Sequence, residues 1–245
     1  MIPLRDNIPT AKTPVVTYAL IIANVLVYFL WQRGGLHLNS PDSQHYTCQL
    51  YEWAAIPDEF FGSKLPLPSQ CGVDDAPTFA TVFTAMFMHG GLLHLGGNML
   101  FLWIFGNNVE DAMGPVKFLL FYVLGGVAAF ALQFAIDPSS QVPTLGASGA
   151  IAAVLGGYIL LFPRAKVVTV IFIVFFFTIV ELPALLILGF WFIQQLLFGY
   201  FDLNSGGVGG GVAYFAHIGG FVFGLLTIRV FASRARTARQ TAWRS

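Results

Sequence analysis

Six apolar blocks, each near or above the length that crosses a lipid bilayer and set apart by short polar punctuation, constrain this chain more than any single motif. They occupy residues 15–31, 91–105 with an apolar lead-in from Phe79, 118–136, 146–162, 167–200 and 212–231. A helix needs about 20 residues, within a range of about 17 to 25, to span the hydrocarbon core. Only 10% of the 245 residues are charged and 56% are hydrophobic. A soluble domain carries about 25% charged residues, so a water-soluble globule is excluded. Twelve Lys and Arg balance twelve Asp and Glu. There is accordingly no basic surface for nucleic acid and no phosphate-binding loop for a nucleotide.

The fifth block is too long for one span. Its 34 residues would make a helix of about 51 Å, and Glu181 and Pro183 interrupt it near the middle. The distribution of cations resolves the count. With one span in this block and the N-terminus inside, ten cations are cytoplasmic: Arg5, Lys12, Lys117, Arg164, Lys166, Arg229, Arg234, Arg236, Arg239 and Arg244. Only Arg33 and Lys64 face outside, in keeping with the excess of Lys and Arg in cytoplasmic loops. The helix is therefore placed at residues 182–200, with 167–181 an apolar loop or re-entrant segment buried in protein.

The expectation is an all-α polytopic membrane protein, a six-helix bundle in the cell membrane forming one domain over residues 1–245. Residues 1–14 are a cytoplasmic N-terminus, 32–78 an extracytoplasmic first loop and 232–245 a basic cytoplasmic tail. The first helix reads as an uncleaved anchor, because no small-residue cleavage site follows it. The first loop holds both cysteines, Cys48 and Cys71. The alternatives for them are a disulfide, two free thiols, or a metal site completed by His37 and His45.

Strongly polar groups inside spans are costly and mark function by default. His94 and Asn98 lie four residues apart on one face of the second span, with His89 just ahead of it. Ser148 opens the fourth span and His217 the sixth. On the inferred topology all three helices run from outside to inside, so His94, Ser148 and His217 share a layer within about 10 Å of the outer interface. That set suffices for acyl transfer: Ser148 as nucleophile, His217 as base, and Asn98, His94 and the Ser148 N–H as oxyanion donors. No Asp or Glu of these three spans reaches that layer, which predicts a Ser/His dyad whose imidazole is oriented by packing. Gly146 and Gly149 would let the backbone turn around Ser148, and Gly220 with Gly224 would let span six approach span four. Two other readings exist. One is a non-catalytic scaffold that binds transmembrane helices through glycine faces; the other is an intramembrane metal site or transporter using His89, His94 and His217.

Taken in order, His89, His94-x-x-x-Asn98, Glu110-x-x-x-Gly114, Gly146-x-Ser148-Gly149 and Ala216-His217-x-x-Gly220-x-x-x-Gly224 make the chain resemble the rhomboid intramembrane serine proteases. The resemblance runs from Phe79 to about Phe231. It implies a six-helix core with a water-filled cavity open to the outside, needing no metal or cofactor. In that core Ser148 attacks, His217 is the base, His94 and Asn98 line the oxyanion hole, and Glu110 ties the second helix to its neighbours. It further implies single-pass transmembrane proteins as substrates, cut near the outer face, with the fifth helix and the glycine-rich 205–211 segment as a movable cap. Two positions depart from the family pattern. A Trp-Arg pair of the first loop is replaced by Ala80-Thr81, and the tyrosine that stacks on the histidine is Ala152. Tyr214 or an aromatic from another helix would take its place.

The charge distribution makes a direct prediction. A reporter fused after Ser245 is expected to be active only in the cytoplasm, and an extracytoplasmic signal would contradict the single-span reading of residues 167–200.

Overall fold

A computed structural model describes residues 1–62, 64–72, 76–173, 176–204, 212–233 and 237. The 205–211 segment and the tail arginines Arg234, Arg236, Arg239 and Arg244, given roles above, lie outside the described residues. Strand β1 (Ile2–Asp6) precedes helix α1 (Val15–Leu26), which runs on through a wider π-helical turn, Val27–Trp31. The first loop carries two short helices, α2 (Gln44–Trp53) and α3 (Pro57–Phe61), and leads to α4 (Thr78–Ala85). Helices α5 (Leu92–Phe101) and α6 (Asn107–Met113) continue one another through a second π-helical turn, Leu102–Gly106. Then come α7 (Pro115–Ile136), α8 (Ser148–Leu161), β2 (Lys166–Ile173), β3 (Phe176–Pro183), α9 (Ala184–Asn204) and α10 (Tyr214–Phe231). Three of these helices, α7, α9 and α10, are long and apolar enough to cross a membrane; Val15–Trp31 and α8 are shorter apolar helices.

The all-α expectation is corrected by a small sheet. Strands β1, β2 and β3 form a three-stranded antiparallel sheet in that order, and the stretch 167–181, read above as a loop or re-entrant segment, is most of a β-hairpin. Its register runs from Lys166 opposite Pro183 to Ile173 opposite Phe176. The cause is local: Val, Ile, Phe and Thr fill this stretch and favour the pleated state, while the ladder satisfies backbone groups that an apolar loop would leave unpaired. The N-terminal strand then closes one edge, with Ile2 opposite Val170 and Asp6 opposite Val167. The fifth long helix starts at Ala184 rather than 182, because Leu182 and Pro183 belong to β3.

The core centres on α8, in which every residue from Gly149 to Ile159 is buried. Its 14 residues make a helix of about 21 Å, short because neighbouring helices rather than lipid surround it. Helix α10 lies along α8, and the approach is set by glycine: a Cβ at Gly220 would collide with the Gly149 carbonyl, and one at Gly224 with the Ala153 carbonyl. The first loop is pinned by the Cys48–Cys71 disulfide, which decides among the alternatives for these two residues. It is also tied to the start of the second long helix by Leu92 N–H donating to the His37 carbonyl at 2.9 Å.

At the opposite end of that helix, Glu110 is buried and receives three hydrogen bonds from the start of α1: Val16 N–H at 3.0 Å, Thr17 N–H at 2.7 Å and Thr17 Oγ1–H at 2.8 Å. The first N–H groups of a helix have no intrahelical partner and carry its positive end, so one carboxylate both caps α1 and ties it to α6. Gly114, at φ +86, ends α6 and lets Pro115 open α7. Glu110→Ala, which orphans buried donors of a charged acceptor, is expected to cost about 2–3 kcal/mol, read as a lowered thermal unfolding midpoint in detergent.

Candidate active site

Ser148 stands at the first turn of α8 because the chain before it is held as an extended segment. Thr144 and Ala55 exchange backbone hydrogen bonds of 2.8 and 3.0 Å, and Gly146 N–H donates to the Ala85 carbonyl at 2.8 Å. Gly146 then takes φ +122, a conformation that L side chains rarely adopt, and a Cβ there would lie 2.7 Å from His94 Nε2. This glycine makes the turn that presents Ser148. Gly149 has another part: it is already helical, and its missing Cβ makes room for Ala129 of α7. At a helix start the N–H groups around Ser148 have no partner within the helix.

His217 enters from the first turn of α10. Its Nε2 lies 2.7 Å from Ser148 Oγ and its Nδ1 lies 2.8 Å from Gln195 Oε1 of α9. An amide oxygen can only accept, so Nδ1 carries the imidazole proton and Nε2 turns its lone pair to the serine hydroxyl. Trp191, one turn before Gln195, sets its ring against the imidazole with centroids 5.6 Å apart. Tyr214, considered above for this place, packs instead on Phe198. Helix α9 thus supplies both groups that hold His217.

His94 and Asn98 project from α5 as the spacing predicts. His94 Nδ1 accepts from Gly90 N–H at 3.2 Å, which leaves the ring proton on Nε2, the nitrogen nearest Gly146. Asn98 Nδ2 lies 3.0 Å from His89 Nε2. His89, in the loop ahead of α5, is fully buried; loss of hydration first, and then the neighbouring His94, push its imidazole down to about 3. It is therefore neutral and accepts from the Asn98 amide. Its backbone is clamped by the first loop, with His89 N–H donating to Gln32 Oε1 at 2.9 Å and Tyr46 O–H donating to the His89 carbonyl at 3.3 Å.

The structure therefore brings Ser148, His217 and His94 together, and Asn98, one turn after His94 on α5, bonds to His89 beside the His94 ring. Glu110, Gly114 and Gly224 lie away from this cluster and act on helix ends and packing. Ser148, His94 and His217 are each half-buried. A small cleft beside the serine is lined by Met86, Phe130, Thr144, Leu145, Ala213 and Ala216. Among the described residues no three His, Cys, Asp or Glu side chains converge as metal ligands. What the sequence reading missed is Gln195. The adjacent amides Gln194 and Gln195 in the apolar middle of α9 were the available signal, but nothing in the sequence tells which of the two faces His217.

Comparison with known proteins follows the same residues. The family model for the rhomboid domain matches residues 76–234. The chain is 28% identical over 159 residues to mitochondrial Rhomboid protein 1 of Saccharomyces cerevisiae, an alignment covering 63% of this chain and 39% of that protein. It is 29% identical over 143 residues to Rhomboid protease GluP of Bacillus subtilis, covering 58% and 24%. It is 26% identical over 211 residues to the mitochondrial presenilin-associated rhomboid-like protein of Homo sapiens, covering 84% and 45%. The chain spans less than half the length of each of these relatives.

The helix contact that creates the Ser148–His217 pair is open to test. Gly220→Val, which forces α10 off the Gly149 carbonyl, is expected to abolish reaction of Ser148 with a fluorophosphonate in folded protein. Gly189→Val, which adds a side chain where nothing lies within 4 Å, retains it.

Proposed function

The chain belongs to the rhomboid family, and from that premise we propose that it is an active intramembrane serine endopeptidase working through Ser148 and His217. The observation that carries this reading is the 2.7 Å contact between Ser148 Oγ and His217 Nε2, with the other imidazole nitrogen already engaged. As the scissile carbonyl arrives, Oγ attacks its carbon while Nε2 takes the hydroxyl proton. The oxyanion that forms is met by His94 Nε2–H, by the Asn98 amide and by the N–H of Ser148. The imidazolium then returns its proton to the leaving amine, and the acyl-enzyme remains. A water deprotonated by the same nitrogen releases the new carboxyl terminus and restores the serine.

The membrane setting follows the same reading. Six spans, 15–31, 92–113, 115–136, 148–161, 184–204 and 214–231, place both termini in the cytoplasm and the first loop outside the cell membrane. A disulfide in that loop supports an oxidising compartment on that side. Because α8 is shorter than the hydrocarbon thickness, its Ser148 end lies below the outer surface and is reached through the cleft. Substrates are single-pass transmembrane proteins whose backbone unwinds locally, since a peptide bond inside a helix keeps its carbonyl engaged. The tight cleft lined by Met86 and Phe130 suits a small side chain before the cut bond.

Reconstituted in liposomes with a transmembrane substrate carrying a small residue near its outer end, the protein is expected to release a discrete fragment. Ser148→Ala and His217→Ala abolish the cut while leaving the fold. Asn98→Ala lowers kcat by about 10²-fold, the effect of removing one oxyanion donor. Full turnover by Ser148→Ala would end the protease reading.

A further inference from the structure

We propose that Gln195 is a positioning residue for the hydrolytic pair, fixing His217 in the one tautomer that can take a proton from Ser148; this rests on the reading of Ser148 as nucleophile. The imidazole is held by both nitrogens, one against Gln195 at 2.8 Å and the other against Ser148 at 2.7 Å. If Nδ1 lost its acceptor, the ring proton would move freely between the two nitrogens. With the proton on Nε2 the ring would donate to Oγ, and no base would face the serine.

Three further observations support the role. Gln195 is the polar member of the buried set on α9, beside Ala184, Ile187, Leu188 and Gly199. Burying an amide in an apolar helix is costly unless it is hydrogen-bonded, and the Oε1 bond to His217 is the shorter of its two contacts, the other being Nε2 to the Trp191 carbonyl at 3.4 Å. No carboxylate hydrogen-bonds to His217 among the described residues. An amide thus stands where serine hydrolases elsewhere put Asp or Glu. It offers direction without charge, so the imidazolium formed during attack depends on geometry more than on ionic pairing. Trp191 packs against the imidazole at a tilt of 39° from the same helix, and Phe192 stacks on Phe221 of α10 with centroids 4.3 Å apart. The orientation of the base is thereby a property of how α9 seats on α10.

The test compares wild type with Gln195→Met, which keeps length and removes the acceptor, and Gln195→Glu, which keeps an accepting oxygen. Turnover of the reconstituted protein on a transmembrane substrate is measured together with the nitrogen resonances of His217 in ¹⁵N-histidine-labelled protein, assigned by their loss in His217→Ala. Gln195→Met is expected to lower kcat by about 10²-fold, within what a positioned acid–base group contributes, with KM little changed. Its His217 signals should move from a single Nδ1–H form to a mixture. Gln195→Glu recovers most of the turnover and the single form. Wild-type kcat in Gln195→Met, unchanged nitrogen signals in that variant, or a Gln195→Glu variant as slow as Gln195→Met would each overturn the proposal. Should wild type itself fail to cleave, the protease reading falls. The nitrogen signals still decide the tautomer question independently: a mixture in Gln195→Met supports the role of Gln195 and a single form rejects it.

Discussion

The close backbone approach of α8 and α10 is the constraint on which the rest depends. Where Gly220 and Gly224 meet the carbonyls of Gly149 and Ala153 there is no room for even a methyl group, and small residues are what allow apolar helices to touch in the absence of a hydrophobic drive between them. That contact fixes Ser148 and His217 across a 2.7 Å gap. It also buries α8 so completely that a helix of 14 residues can start inside the protein, leaving the serine at the floor of a cleft rather than at a surface.

Around that contact the polar groups have partners that determine their protonation. Gln195 bonds the nitrogen of His217 that faces away from the serine, Gly90 bonds the nitrogen of His94 that faces away from Gly146, and neutral His89 takes the Asn98 amide. Broken, each of these contacts would leave a costly polar group in an apolar interior; intact, they fix the donors and acceptors of the cluster. At the other end of the bundle, Glu110 binds α1 to α6 by the same logic, through one buried carboxylate and three donors.

Much of this was legible in the sequence for physical reasons. Span length is set by the bilayer, so Val15–Trp31 emerged with its observed bounds, and polar residues in apolar blocks are rare enough that Ser148, His217, His94 and Asn98 marked themselves. The sheet was not legible. The run 167–181 carries β-branched and aromatic residues, but its unbroken apolar character fits a buried segment equally well and no turn residue marks the hairpin it forms with itself. The edge strand Ile2–Asp6 lies more than 150 residues away in the chain. Gln195 was missed for a different reason. Its meaning comes from the 2.8 Å contact with His217 on a separate helix, and nothing in the neighbouring residues of α9 announces that partner.

Activation of Ser148 by His217 is the central requirement of the proposed chemistry. Purified protein in detergent, treated with a fluorophosphonate and examined by intact mass and peptide mapping, tests this without any assumption about substrate. One adduct on Ser148 in wild type, absent when His217 is replaced by Ala in a folded sample, is the predicted result. An adduct that forms equally well without His217, or no adduct on Ser148 in folded wild-type protein, would contradict it.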